Sequence, residues 1–239
     1  PVWSYSNRSG RPPGPFVSLA GRLLPGVRQV QEQIVPYAMA WQRANQQAMA
    51  EVGPLWVVLG DSLSQGVGAS AHDRGWVGQL AERLRAQNRI SRVLNLSVSG
   101  ARVADVLERQ LPALSALPQP PELVTLLIGS NDLFRRRHRL ELPASFELLL
   151  QQLPPGTVVA NLPNPNETAA MLNRSLMRAV AQRGLVLADM RQPRTTSWRG
   201  KLAADHFHPS DLGYAGIAEV FADAITTSRP EQARPEQHG

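Results

Sequence analysis

The chain reads as an α/β protein, a three-layer α/β/α sandwich built on a five-stranded parallel sheet. Three observations lead there. Short apolar runs alternate with amphipathic stretches of helical period, and strand–helix alternation with short crossovers requires a parallel sheet covered by helices on both faces. Hydrophobic residues make up 43% of the 239, enough for one large core, and no run of 18 uninterrupted apolar residues occurs. Cys is absent, which removes disulfides, thiolate nucleophiles and Cys-ligated metals.

The elements follow in order. Residues 1–25 are polar and rich in Pro and Gly, and read as a flexible arm without a convincing export signal; a cytoplasmic protein is the expectation unless a leader has been removed before Pro1. A helix is expected over 36–49, with Pro36 suited to its first turn and Tyr37, Trp41, Ala44 and Ala48 on one face. That face suits packing on the flank of a domain, and the polar face lacks the basic residues of a membrane-surface helix. The run Leu-Trp-Val-Val-Leu at 55–59, between Gly-Pro and Gly-Asp, is a strand buried on both faces. Val77, Leu80, Ala81 and Leu84 then form one stripe of a helix near 76–87.

Strands at 92–96, 123–128, 157–160 and 185–188 follow, with helices near 103–111, 144–153 and 168–183 between them. A loop-rich stretch over 191–209 leads to a last helix at about 210–226. Five strands connected in this way give a flavodoxin-like order, 2-1-3-4-5. The organisation is an arm and helix at 1–53, one domain at 54–228, and a tail at 229–239 expected to be disordered, where Arg-Pro-Glu-Gln occurs twice.

Chemistry-bearing residues gather at the carboxyl ends of these strands, the edge where open α/β sheets bind ligands. Gly60-Asp61-Ser62-Leu63-Ser64 follows the first strand, and Ser97-Val98-Ser99-Gly100-Ala101 the second. Gly129-Ser130-Asn131-Asp132 follows the third, and Asp205-His206-Phe207-His208-Pro209 precedes the last helix. Each stretch alone is an ordinary turn or helix cap. Together they place a Ser, a Gly amide, an Asn and an Asp/His pair at one edge.

These four blocks resemble the signature of the SGNH (GDSL-type) hydrolase superfamily, in order and with no signature residue missing, across 55–226. The resemblance implies a serine esterase or lipase acting on carboxylic esters or thioesters through an acyl-Ser62 intermediate, with a carbohydrate O-acetylesterase as the alternative. Ser is a weak nucleophile at neutral pH and needs a base. Family spacing makes His208 that base, with Asp205 on its other ring nitrogen, and leaves His206 pointing elsewhere. The implied oxyanion donors are the backbone N–H of Ser62, the backbone N–H of Gly100 and the side-chain amide of Asn131. Asp61 and Asp132 are expected to brace their loops. Neither metal nor cofactor is implied, and the partner is a small ester.

Charge gives weaker guidance. The formal net charge is +6, and nearly every basic residue is Arg, Lys201 being the single Lys. The Arg residues are scattered except at 135–139, and aromatic residues are only 5%, too few for single-strand stacking platforms, so no nucleic acid is expected. Weak association with anionic surfaces stays open on charge alone. The run containing Arg135, Arg136 and Arg137 has two readings: solvated surface, or a substrate rim that attracts anionic esters.

Overall fold

A computed structural model of the chain describes residues 4–10, 23–133 and 136–228, with backbone only at 136–138. Strands β1 (Leu55–Gly60), β2 (Arg92–Asn95), β3 (Leu123–Leu127), β4 (Val158–Ala160) and β5 (Val186–Ala188) form one sheet in the order β2-β1-β3-β4-β5. Every pairing is parallel, as the alternation requires.

Helices cover both faces, which is why β1 is buried at every residue. Side chains of a strand alternate between faces. Val57 and Leu59 therefore join a core with Leu94, Leu126 and Phe146, while Trp56 and Val58 join another with Trp76, Tyr214 and Phe221. The Trp56 indole N–H donates to Thr125 Oγ1 at 2.9 Å, so burial of that ring leaves no polar atom unpaired.

The helices are α1 (Pro25–Ala50), α2 (Trp76–Ala86) and α3 (Val103–Asp105), which runs through a π-helical turn (Val106–Gln110) into α4 (Leu111–Ser115). After them come α5 (Ser130–Leu133), α6 (Arg136–Gln152), α7 (Glu167–Arg183), α8 (Pro193–Thr196) and α9 (Asp211–Thr227). Among the described residues, no helix is long and apolar enough to cross a membrane.

The structure corrects the reading of the first 50 residues. Helix α1 starts at Pro25 rather than Pro36, and Pro25 takes the first-turn place expected of Pro36. Pro36 lies inside the helix, where it removes one backbone hydrogen bond. Burial of Val30 before it and of Ala38 and Trp41 after it keeps the two halves in one helix. Residues 4–10 are not a free arm. Asn7 is fully buried and donates to Asn95 O at 2.8 Å and Ser97 O at 2.9 Å, while the Tyr5 hydroxyl donates to Leu96 O at 2.6 Å. β2 is an edge strand, and this segment together with α1 covers it.

Helix α6 also begins earlier than expected, at Arg136, and carries Pro143 in its interior. The tail at 229–239 and Arg135 lie outside the described residues. Arg136 and Arg137 open α6, but their side chains are not described, so the substrate-rim reading of the three lies outside the described residues too.

Candidate active site

Every block of the sequence reading falls at the carboxyl edge of the sheet. Ser62 follows β1, Gly100 lies beyond the end of β2, Asn131 stands in α5 just beyond β3, and Asp205 and His208 precede α9. The turn at Ser62 is pinned from inside: Ser64 N and Gln65 N donate to Asp61 O, and Leu63 N donates to Asp61 Oδ1 at 3.0 Å. Behind it, Gln110 exchanges two hydrogen bonds with the Gly60 backbone, both 2.8 Å. The fully buried Gln110 belongs to the π-helical turn, and it was invisible in the sequence, where a lone Gln on a helix carries no signal.

Asp205 and His208 sit on a tight turn closed by Ala203 N donating to His208 O at 2.8 Å. Asp205 Oδ1 accepts the Phe207 and His208 amides, both at 3.0 Å, which aims its second oxygen at the imidazole. His208 Nδ1 lies 2.6 Å from Asp205 Oδ2, and His208 Nε2 lies 3.2 Å from Ser62 Oγ. The Asp205 side chain is only 8% exposed. Burial alone would raise its pKa, but the His208 ring and the two amides outweigh that and hold it below the ordinary carboxylate value. A charged Asp205 holds Nδ1 as the protonated nitrogen and leaves Nε2 as the acceptor that faces Ser62. His206 is exposed and adopts a left-handed backbone at φ 54°, turned out of this line.

The three expected oxyanion donors differ in readiness. Among the described residues, neither the Ser62 nor the Gly100 amide donates to a protein acceptor. Gly100 has φ 74°, a conformation that strains any residue with a Cβ, and open space where a side chain would stand. Asn131 is more constrained, because its Nδ2 donates to Asp61 Oδ2 at 3.0 Å and to Ala101 O at 2.9 Å. Both amide hydrogens are thus engaged within the site. Asp132 Oδ2 accepts the Val103 amide at 3.1 Å and so ties α5 to the start of α3, the bracing expected of it. Burial raises the pKa of Asp61 to about 7 and of Asp132 to about 6.

An Asp-oriented His beside a Ser, under two free backbone amides, defines the class of Ser/His/Asp hydrolytic sites. The chain belongs to the GDSL-like lipase/acylhydrolase family, whose model matches residues 58–215. It is 41% identical over 88 residues to the esterase TesA of Pseudomonas aeruginosa; that match covers 37% of this chain and 41% of the relative's length. Its fold is similar to that of a lipase/acylhydrolase from Enterococcus faecalis, with TM-score 0.60 and 21% identity over 76% of this chain and 100% of the other. Axe2, an acetyl xylan esterase from Geobacillus stearothermophilus, shares the fold with TM-score 0.58 and 22% identity over 73% of this chain and 95% of its own.

Proposed function

We propose that the protein hydrolyses carboxylic esters or thioesters through a covalent acyl-Ser62 intermediate. The observation that carries this reading is the continuous line from Asp205 Oδ2 through the His208 ring to Ser62 Oγ, with contacts of 2.6 Å and 3.2 Å. In the first step Ser62 Oγ attacks the carbonyl carbon while His208 Nε2 takes its proton. Negative charge collects on the carbonyl oxygen, where the Ser62 and Gly100 N–H groups and the Asn131 amide donate to it. Collapse expels the alcohol or thiol, which receives the proton from His208. A water then attacks the acyl-Ser62 ester while His208 removes its proton, and collapse releases the acid as His208 returns that proton to Ser62 Oγ.

No group in this cycle changes oxidation state, and protons balance within the Ser62–His208 pair. The family relation supports the reaction class, and the name of the Pseudomonas esterase supports an ester substrate. The acyl chain and the alcohol are open to direct assay. A panel of p-nitrophenyl esters from acetate to palmitate, beside acetylated sugars and acyl-CoA thioesters, tests the reading. Turnover of at least one member that disappears in Ser62→Ala supports it. Turnover that survives in Ser62→Ala, or none by a folded wild type on any member, overturns it.

A further inference from the structure

Four polar side chains of α1 stand four residues apart, Gln33, Tyr37, Trp41 and Asn45, and so lie along one side of the helix. Three of them reach the backbone of the loop after the nucleophile directly, and Asn45 reaches it through Asn95. Gln33 donates from Nε2 to Ala69 O at 3.1 Å and accepts the Gly68 amide on Oε1 at 2.8 Å. The Tyr37 hydroxyl donates to the same Ala69 O at 2.8 Å, and the Trp41 indole N–H donates to Gln65 O at 3.1 Å. Asn45 pairs with both backbone groups of Asn95, at 2.7 Å and 2.8 Å, as a neighbouring strand would. The Asn95 side chain in turn donates to Ser64 O at 2.7 Å.

The segment these residues hold, 62–70, is a run of turns that pairs several of its own amides, but Gln65 O, Val67 O, the Gly68 amide and Ala69 O take side-chain partners from outside it. It also touches the base. A Cβ at Gly68 would stand 2.6 Å from both His208 Cβ and Pro209 O, so the loop lies flush against the turn that carries His208. The domain itself contributes the Tyr214 hydroxyl, which donates to Val67 O at 2.6 Å. The contacts at Gln65, Gly68 and Ala69 come from α1, which lies outside the matched family region 58–215.

From this ladder we infer that α1 is a positioning element: it fixes the loop between Ser62 and His208, and reactivity of the nucleophile depends on it. The inference rests on the reading of Ser62 as the nucleophile. A loop shift of about 1 Å can cost a hundredfold in rate without unfolding anything. The ladder therefore acts on the chemical step rather than on substrate affinity.

The test uses the full chain with Tyr37→Phe, which deletes one hydroxyl and keeps the ring, Trp41→Phe, which deletes the indole N–H and keeps an aromatic ring of smaller size, and the double variant. Met39→Ala, on the exposed side of the same helix, is the control. Amide hydrogen exchange over residues 66–69, kcat and KM for p-nitrophenyl acetate, and the rate of modification by a small fluorophosphonate are measured where thermal melts show the variants folded. In the double variant, exchange should rise about tenfold, and kcat and the modification rate should fall about tenfold with KM within about twofold. Met39→Ala should match wild type. Unchanged exchange, faster exchange with unchanged reactivity, or losses that merely track the unfolded fraction overturn the inference; should the double variant not fold, Tyr37→Phe alone decides it on the same criteria. A wild type that reacts with neither probe would instead overturn the nucleophile reading, and the exchange result separates the two failures.

Discussion

Asn131 Nδ2 donates to Asp61 Oδ2 at 3.0 Å, and this bond joins the residue before the nucleophile to a helix on the neighbouring strand's end. The stretches Gly60–Ser64 and Gly129–Asp132 are thereby one unit. Asp61 is almost wholly buried; it accepts from Leu63 N and Asn131, and no Lys or Arg among the described residues pairs with it.

That burial sets a stability trend. The carboxyl titrates near 7 in the folded chain against an ordinary value of 3.8, so between these limits the folded state holds a proton that the unfolded state has lost. Stability from this group is fully present below about pH 4 and declines as pH rises towards 7, by on the order of 4 kcal/mol. Asp132, raised to about 6, adds a decline of the same sign that ends earlier. Urea denaturation from pH 4.5 to 8 should show wild type losing stability relative to Asp61→Asn as pH rises. Wild-type stability that holds steady or rises relative to Asp61→Asn as pH rises would contradict this assignment.

Replacing Asn131 with Ala should lower kcat by roughly a hundredfold to a thousandfold while KM moves little, because an oxyanion donor acts mainly in the transition state. Steady-state kinetics on one good ester decide it. A change confined to KM would give Asn131 a role in holding substrate, and one confined to thermal stability would leave it only its bond to Asp61.

The base assignment separates two neighbouring histidines. His208 Nε2 faces Ser62 Oγ at 3.2 Å, whereas His206 lies exposed outside that line, so only the first should be needed for catalysis. His208→Ala should lower kcat at least about a thousandfold, whereas His206→Ala should keep most of the activity. The reverse pattern in steady-state kinetics of the two folded variants would reassign the base.

Much of this site was legible because the chemistry follows apolar runs that end in Gly, Ser or Asn. Leu55 to Leu59 announces a strand, and Gly60-Asp61-Ser62 announces what it presents. The supports were not legible. Asn7 lies in a polar, Pro-rich stretch that suggests no structure, yet it is fully buried because its amide finds two strand-edge carbonyls. Pro36 reads as a helix start because it cannot donate, and only the packing on either side reveals it as an interior residue. Gln110 and Asn45 are buried amides whose partners are backbone groups 50 residues away, and no local pattern encodes such a pairing. Periodicity finds apolar faces; it does not find polar side chains that imitate a strand.

Asn45 therefore carries a stability prediction of its own. Truncation to Ala leaves the Asn95 N–H buried without its acceptor, while Asn95 O keeps the Asn7 amide, and should cost about 2 kcal/mol, read as a lower urea midpoint with an unchanged slope. A loss under about 0.5 kcal/mol would show that water or the Asn7 amide replaces it.

The central claim is that Ser62, activated by His208, forms a covalent acyl intermediate. The most direct measurement treats the protein with an excess of a small fluorophosphonate and locates the adduct by peptide mass spectrometry. The account predicts a single adduct on Ser62, absent in Ser62→Ala and at least about a hundredfold slower in His208→Ala. An adduct on another residue, or no adduct on a folded wild-type chain, would contradict it.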